Sequence, residues 1–143
     1  MHKRWRTLIL DTDPDTLIML QRVLEEADID ATVTWDEMEA CQLIETAPFD
    51  LILIGDHPPE LKAGAILDQL SLRGTCPPVL VLSGIFGEKD AEYFSRLGAT
   101  AVVPKRDPLA VLEQVTKALS SIQFNAKAGK ALSTKVRAWR GAS

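Results

Sequence analysis

Short apolar runs alternate with stretches of helical periodicity along most of the chain. We predict strands at five of these runs, which lie at 7–10, 31–34, 51–54, 79–82 and 100–103. Three of them are almost continuous in Leu, Ile and Val, a pattern typical of parallel strands that are covered on both faces. The runs therefore indicate a buried parallel sheet rather than a half-exposed antiparallel one.

The segments between the runs predict helices. Asp13-Pro14 stands before Leu17 and Leu20 at helical spacing, with Asp as the N-cap and Pro at the first helical position. Asp36 opens a capping-box pattern that predicts a second helix. Three more helical patterns cover 67–72, 91–97 and 109–119. Alternation of strand and helix predicts an open α/β sheet with helices on both faces, and such sheets place their working site beyond the carboxyl ends of the strands.

Composition adds the expected size and location. A chain of 143 residues with 46% hydrophobic content suits one core. We predict a domain at 1–121 and a C-terminal extension at 122–143. No apolar run approaches the roughly 20 residues of a membrane helix, and the run at 7–10 is too short for a signal peptide. Cys41 and Cys76 lack CxxC spacing and are expected to be free thiols. A cytoplasmic protein is expected.

Charge divides the chain into an acidic body and two basic ends. All 20 acidic residues lie between Asp11 and Glu113, and residues 7–120 hold only 8 of the 16 basic residues. The remaining basic residues occupy 1–6 and 127–140. This distribution argues against a nucleic-acid-binding core.

Several motifs occur in the order typical of one family. Residues 8–14 give a strand followed by Asp11-Thr12-Asp13, residues 49–55 give an apolar run that ends at Gly55, and Ser83 and Lys105 follow later strands. Over roughly residues 5–120 the chain resembles the receiver domain of two-component response regulators. The resemblance implies a flavodoxin-like, three-layer α/β/α fold with a five-stranded parallel sheet in the order 2-1-3-4-5.

The resemblance also assigns roles and shows two departures. It implies that Asp11 and Asp13 match acidic residues of the site, Ser83 the hydroxyl that contacts the phosphoryl group, and Lys105 the lysine that pairs with the phosphoaspartate. However, Gly55 stands in the acceptor position and Thr12 in that of a direct Mg²⁺ ligand. We therefore expect an Asp11–Lys105 ion pair in a degenerate pocket that holds no metal, with Asp11 as its only weak candidate ligand.

Each residue also has a structural explanation. Asp13 can be a helix cap, Lys105 a solvated loop lysine, Ser83 part of a turn, and Gly55 a tight-turn residue. Asp56 could replace the missing acceptor, although alternation along a strand would point it away from the pocket.

The function predicted from these residues is that of a bacterial, non-enzymatic pseudo-receiver in phosphorelay signalling, which binds a sensor kinase or effector without Asp phosphorylation. The first alternative is a phosphorylatable receiver that uses Asp56 with Mg²⁺. The second alternative is a small-molecule-binding flavodoxin-like enzyme, but the sequence has no phosphate-binding glycine motif. No cofactor, membrane or nucleic-acid partner is expected, and a homodimer is possible.

Partner docking is expected at two places. Val102 occupies the position at which the family often has an aromatic switch residue. Leu132, Val136 and Trp139 recur at i, i+4 and i+7 among basic residues, which predicts a short amphipathic helix at 130–140. That segment is either a frayed extension or a helix docked on this domain, a second copy or another protein.

Overall fold

Five parallel strands form one sheet in the order β2-β1-β3-β4-β5. The computed structural model describes residues 4–73, 76–84 and 88–122. The strands are β1 (Arg6–Leu10), β2 (Asp30–Thr34), β3 (Leu51–Asp56), β4 (Val79–Ser83) and β5 (Ala101–Pro104). The predicted α/β class and strand order are thus confirmed, and each of the five predicted runs overlaps a strand.

Helices follow the strands in turn. They are α1 (Pro14–Glu26), α2 (Glu37–Thr46), α3 (Ala63–Ser71), α4 (Glu88–Arg96) and α5, at 108–122. Asp13 caps α1 by accepting a hydrogen bond from the backbone N–H of Asp15, and Asp36 caps α2 through the N–H of Met38. Both predicted helix starts are therefore confirmed. Gly98, with φ of 106°, turns the chain from α4 towards β5, a conformation that favours glycine.

Two apolar layers cover the sheet. Side chains alternate along each strand, so that Ile52 and Ile54 face α2, α3 and α4, whereas Leu51 and Leu53 face α1 and α5. All four are essentially inaccessible to water. This alternation continues past the apolar part of each strand and decides to which side the residues of the candidate site point.

Element bounds differ from the predicted ones by up to four residues. Helix α3 begins at Ala63 rather than at 67, and β5 covers Ala101–Pro104 rather than 100–103. Pro104 is compatible with β5 because that strand lies at the edge of the sheet. Within the described ranges, no helix has both the length and the apolar character needed to cross a membrane. The amphipathic helix predicted at 130–140 lies outside the described residues.

Candidate functional site

A buried ion pair stands at the carboxyl edge of the sheet. Asp11 follows β1 and Lys105 follows β5, and the Lys105 Nζ lies 2.8 Å from Asp11 Oδ2. The Asp11 side chain is fully buried and that of Lys105 is 9% exposed. Among the described residues, Oδ2 accepts no hydrogen bond of standard geometry, and the ion pair is its one close polar contact. The pair connects the ends of β1 and β5, and removal of either partner would leave an uncompensated buried charge.

Gly55 makes room for the Asp11 carboxylate. A Cβ built on Gly55 would lie 2.6 Å from Asp11 Cγ and closer still to Oδ2. Since real Cβ atoms do not approach so near, any side chain at position 55 would require Asp11 to move. The position at which the family resemblance places the acceptor is therefore filled by the carboxylate of a neighbouring strand.

The Asp11-Thr12-Asp13 segment serves the start of α1. The backbone N–H of Asp13 donates to Asp11 Oδ1 at 2.9 Å, which fixes the carboxylate from its second oxygen. The Asp13 carboxylate accepts from Thr16 Oγ1 at 2.8 Å and from the Asp15 N–H at 3.2 Å. The hydrogen bond from Thr16 is the main reason that the pKa of Asp13 is lowered. Asp13 is thus held as a helix cap, while Thr12 is half-buried.

Asp56 and Ser83 lie on the other side of the sheet. They are register partners at the ends of β3 and β4. Since side chains alternate along a strand, Asp56 lies on the side opposite to Leu51 and Leu53. Ser83 lies on that same side of β4, so both residues point towards α3 and α4. Asp56 Oδ1 accepts a hydrogen bond from the Ala63 N–H at 3.1 Å, at the start of α3. The predicted site residues therefore divide into two groups: Asp11, Gly55 and Lys105 on one face, and Asp56 and Ser83 on the other.

A cavity of about 550 Å³ opens beside the second group. Asp56, His57, Ser83, Asp90 and Arg106 are among the residues that line it. Asp90 and Arg106 are not among the site residues predicted from the sequence. For Arg106 a signal was present, because it directly follows Lys105, whereas nothing in the sequence relates Asp90 to a strand end.

The carboxylates of this region are held by contacts within the protein. Both Asp11 oxygens are engaged, both Asp13 oxygens cap α1, and Asp56 caps α3 from the opposite face. Within the described part of the chain, no group of three His, Cys, Asp or Glu residues could together hold a metal ion. The residues at the position of the family's Mg²⁺ site therefore do not fit that ion, which needs several oxygen ligands in near-octahedral geometry.

Val102, the other singled-out position within the described residues, lies on β5. It is partly buried and packs against the apolar layer between the sheet and α2, α3 and α4. Its contribution to any docking surface stays a prediction.

Comparison with solved structures identifies the fold. The chain superposes on the receiver domain of a Francisella response regulator with a TM-score of 0.77 at 24% identity, over 83% of this chain and 99% of that one. A CheY-like receiver domain protein from Methanospirillum hungatei gives 0.76 at 22% identity, over 86% and 99%. The chemotaxis response regulator CheY4 of Vibrio cholerae gives 0.74 at 18% identity, over 81% and 99%.

The class that these structures define is the flavodoxin-like α/β proteins with strand order 2-1-3-4-5. Within that class, the chain has the receiver-domain fold of two-component response regulators. No protein-family model and no curated protein matches the sequence. At identities of 18–24% the similarity shows the fold alone.

Proposed function

We propose that this chain is a pseudo-receiver: a receiver-fold module of two-component signalling that binds a protein partner and is not switched by aspartyl phosphorylation. The observation that carries the proposal is the contact between Asp11 and Gly55. Position 55 offers no side chain to phosphorylate, and the Asp11 carboxylate fills the space that an acceptor would need. The partner proposed is a sensor kinase or a downstream effector, and the location proposed is the cytoplasm.

The Lys105 ion pair supports the same proposal. In the family, according to the resemblance, this lysine pairs with the phosphoaspartate, whereas here its Nζ contacts Asp11 without any added group. Because Asp11 already neutralises the charge of Lys105, this lysine needs no phosphoryl group as its partner. The surface around β5 and α5 would then keep a single conformation. A ligand shifts a conformational equilibrium only if it binds the two states with different affinities.

Asp56 is the second candidate, because it lies beside Ser83 on a solvent-accessible cavity that also contains Arg106. A phosphoryl group on Asp56 could be contacted by those two side chains. Against this, Asp56 caps α3 and stands on the opposite side of the sheet from Asp11 and Lys105. An acceptor there would lack both the acidic residues that bind Mg²⁺ in the family and the lysine.

Intact-mass spectrometry after incubation with acetyl phosphate and Mg²⁺ tests the proposal. We expect the wild-type chain to gain no phosphoryl group. A mass gain that disappears in Asp56→Ala would support the second candidate instead.

A further inference from the structure

An acidic groove runs between α2 and α3, away from the candidate site. It has a volume of about 500 Å³ and is lined by Asp36, Glu37, Met38, Cys41, Gln42, Glu45 and Gln69. Three of these seven side chains are carboxylates and none is basic. Arg73 approaches from the side and pairs with Glu45 at 2.9 Å, which leaves the carboxylates in excess. The groove therefore suits a basic partner.

Two large apolar side chains are exposed at the start of α2, and one of them, Met38, lines the groove. Trp35, directly before the cap of α2, is 74% exposed, and Met38 in the first turn of α2 is 73% exposed. Covering such surface is favourable by roughly 25 cal/mol per Å². Exposed apolar side chains next to a row of carboxylates match a partner that is both apolar and basic.

Cys41 lines the groove, and the pKa of its thiol is raised. Burial is the main cause that raises its pKa, and the charges of Glu37 and Glu45 raise it further, against an opposing effect of Arg73. Cys41 thus lies within electrostatic reach of two carboxylates of the groove.

The C-terminal part of the sequence has the complementary character. Residues 123–143 contain no acidic residue and five basic ones: Lys127, Lys130, Lys135, Arg137 and Arg140. As a helix, Leu132 and Trp139 would be separated by about 10 Å along the axis. Glu37 and Glu45 of α2 are eight residues apart, a separation of about 12 Å. The stripe of Leu132, Val136 and Trp139 thus matches the length of the groove.

The chain can also reach the groove. Helix α5 and helix α2 both run back from the carboxyl edge of the parallel sheet, so Ile122 and Thr46 lie at the same, amino edge. These two helix ends lie on opposite faces of the sheet, so the chain has to pass from one face to the other. With each helix layer about 10 Å from the sheet and strands about 4.8 Å apart, the distance between the two ends is roughly 25 Å. The eight residues from Ile122 to the proposed helix start at Lys130 can span about 26 Å, and two helical residues to Leu132 add about 3 Å.

We propose that residues 130–140 dock as a helix in the groove between α2 and α3 of the same chain, with Leu132 near Glu45 and Trp139 near Met38. The docked segment would cover Trp35 and Met38 and bring its basic residues to the carboxylates. This inference does not depend on whether the chain accepts a phosphoryl group. It assigns the α2–α3 face to the chain's own C-terminal segment rather than to an external partner.

Alkylation of the two cysteines of the full chain tests the proposal. Cys41 lines the groove, whereas Cys76 is exposed outside it and serves as an internal reference. Rates with iodoacetamide are measured by peptide mass spectrometry at one pH for the wild type and for a stripe variant with Leu132→Ser, Val136→Ser and Trp139→Ser, which retains every basic residue. Ala131→Ser with Ala138→Ser is the matched control, because both residues fall about 100° from the stripe.

We expect Cys41 to react severalfold faster in the stripe variant, while its rate in the control and the rate of Cys76 in all three chains stay unchanged. Equal Cys41 rates in wild type and stripe variant would overturn the proposal. Protection of Cys41 that is lost on dilution would also overturn it, because the segment would then come from a second copy.

Zero-length carbodiimide cross-linking of the wild-type chain provides a second measurement that needs no variant. Cross-links within one chain from Lys130 or Lys135 to Glu37 or Glu45 are expected. Cross-links from these lysines to the carboxylates of α1 instead would place the segment on the other face of the sheet and contradict the docking site.

Discussion

The carboxylate of Asp11 occupies the volume that a side chain on Gly55 would enter. A Cβ at position 55 would lie 2.6 Å from Asp11 Cγ, and the same carboxylate is tied to Lys105 and to the Asp13 backbone. Gly55 is thus more than a missing acceptor, because its lack of a side chain permits the buried ion pair. The absent acceptor and the engaged lysine are thus linked through the Asp11 carboxylate.

Gly55→Ala should destabilise the domain because the new methyl group displaces the Asp11 carboxylate from Lys105. Overpacking of a core costs about 1–3 kcal/mol, and loss of the buried pair adds to that. Denaturant unfolding of the variant and wild type measures the change. Gly84→Ala is the matched control: a Cβ there meets nothing within 4 Å, so its effect should stay within about 0.5 kcal/mol. Equal stabilities of Gly55→Ala and Gly84→Ala would show that Asp11 relocates without cost.

The Asp11–Lys105 pair should show strong coupling in a double-mutant cycle. Lys105→Met leaves a buried carboxylate without its partner and should cost about 3–5 kcal/mol. Adding Asp11→Asn should recover much of that loss because the unpaired charge is removed. The exposed pair Arg4–Asp30, also at 2.8 Å but about half accessible, is the reference, and its coupling should not exceed about 1 kcal/mol. Similar coupling energies for the two pairs would contradict the buried ion pair.

Asp13 should contribute a pH-dependent part of the stability. Its pKa is lowered in the folded chain, chiefly by the hydrogen bond from Thr16, so its charged form stabilises the fold above the ordinary pKa of about 3.9. That contribution is lost as the pH falls through the lower, folded pKa. Asp13→Ala should lose about 1 kcal/mol of capping near pH 6, and Asp13→Asn should keep the cap but not the pH dependence. Parallel stability–pH curves for wild type and Asp13→Asn would argue against this assignment.

Mg²⁺ should bind far more weakly than to a receiver with an intact acidic site. Thr12 and Gly55 supply no carboxylate, and the oxygens of Asp11 and Asp13 are already engaged. Each missing carboxylate removes a strong attraction at contact distance. Calorimetric titration should show no saturation at low millimolar Mg²⁺, and saturation there would count against the degenerate site.

Much of the fold could be predicted from the sequence because its signals are local. The apolar runs alone placed all five strands, and Asp13-Pro14 and Asp36 marked the starts of two helices through caps that involve only neighbouring residues. The start of α3 was predicted four residues late for the opposite reason. Lys62 at its N-cap position makes no side-chain hydrogen bond, and the capping carboxylate comes from Asp56, on the preceding strand.

The site was less accessible to sequence reasoning. Motif order placed Asp11, Ser83 and Lys105 at strand ends, but the side to which each points depends on the parity of its strand. Ser83 falls on the face of α3 and α4, with Asp56, and Lys105 on the face of α1 and α5. The position of the Asp11 carboxylate at Gly55 depends on a close approach between two strands, which no local pattern records.

Phosphoryl transfer to the chain tests the central claim most directly. Wild type and a restored variant with Gly55→Asp and Thr12→Asp are incubated side by side with acetyl phosphate and Mg²⁺, and their intact masses are compared. The account predicts no phosphoryl adduct on the wild type. It predicts a partial adduct on the double variant, because Lys105 is already at the site, and little on Gly55→Asp alone. An adduct on the wild type that is lost in Asp56→Ala would contradict the account and establish a phosphorylatable receiver.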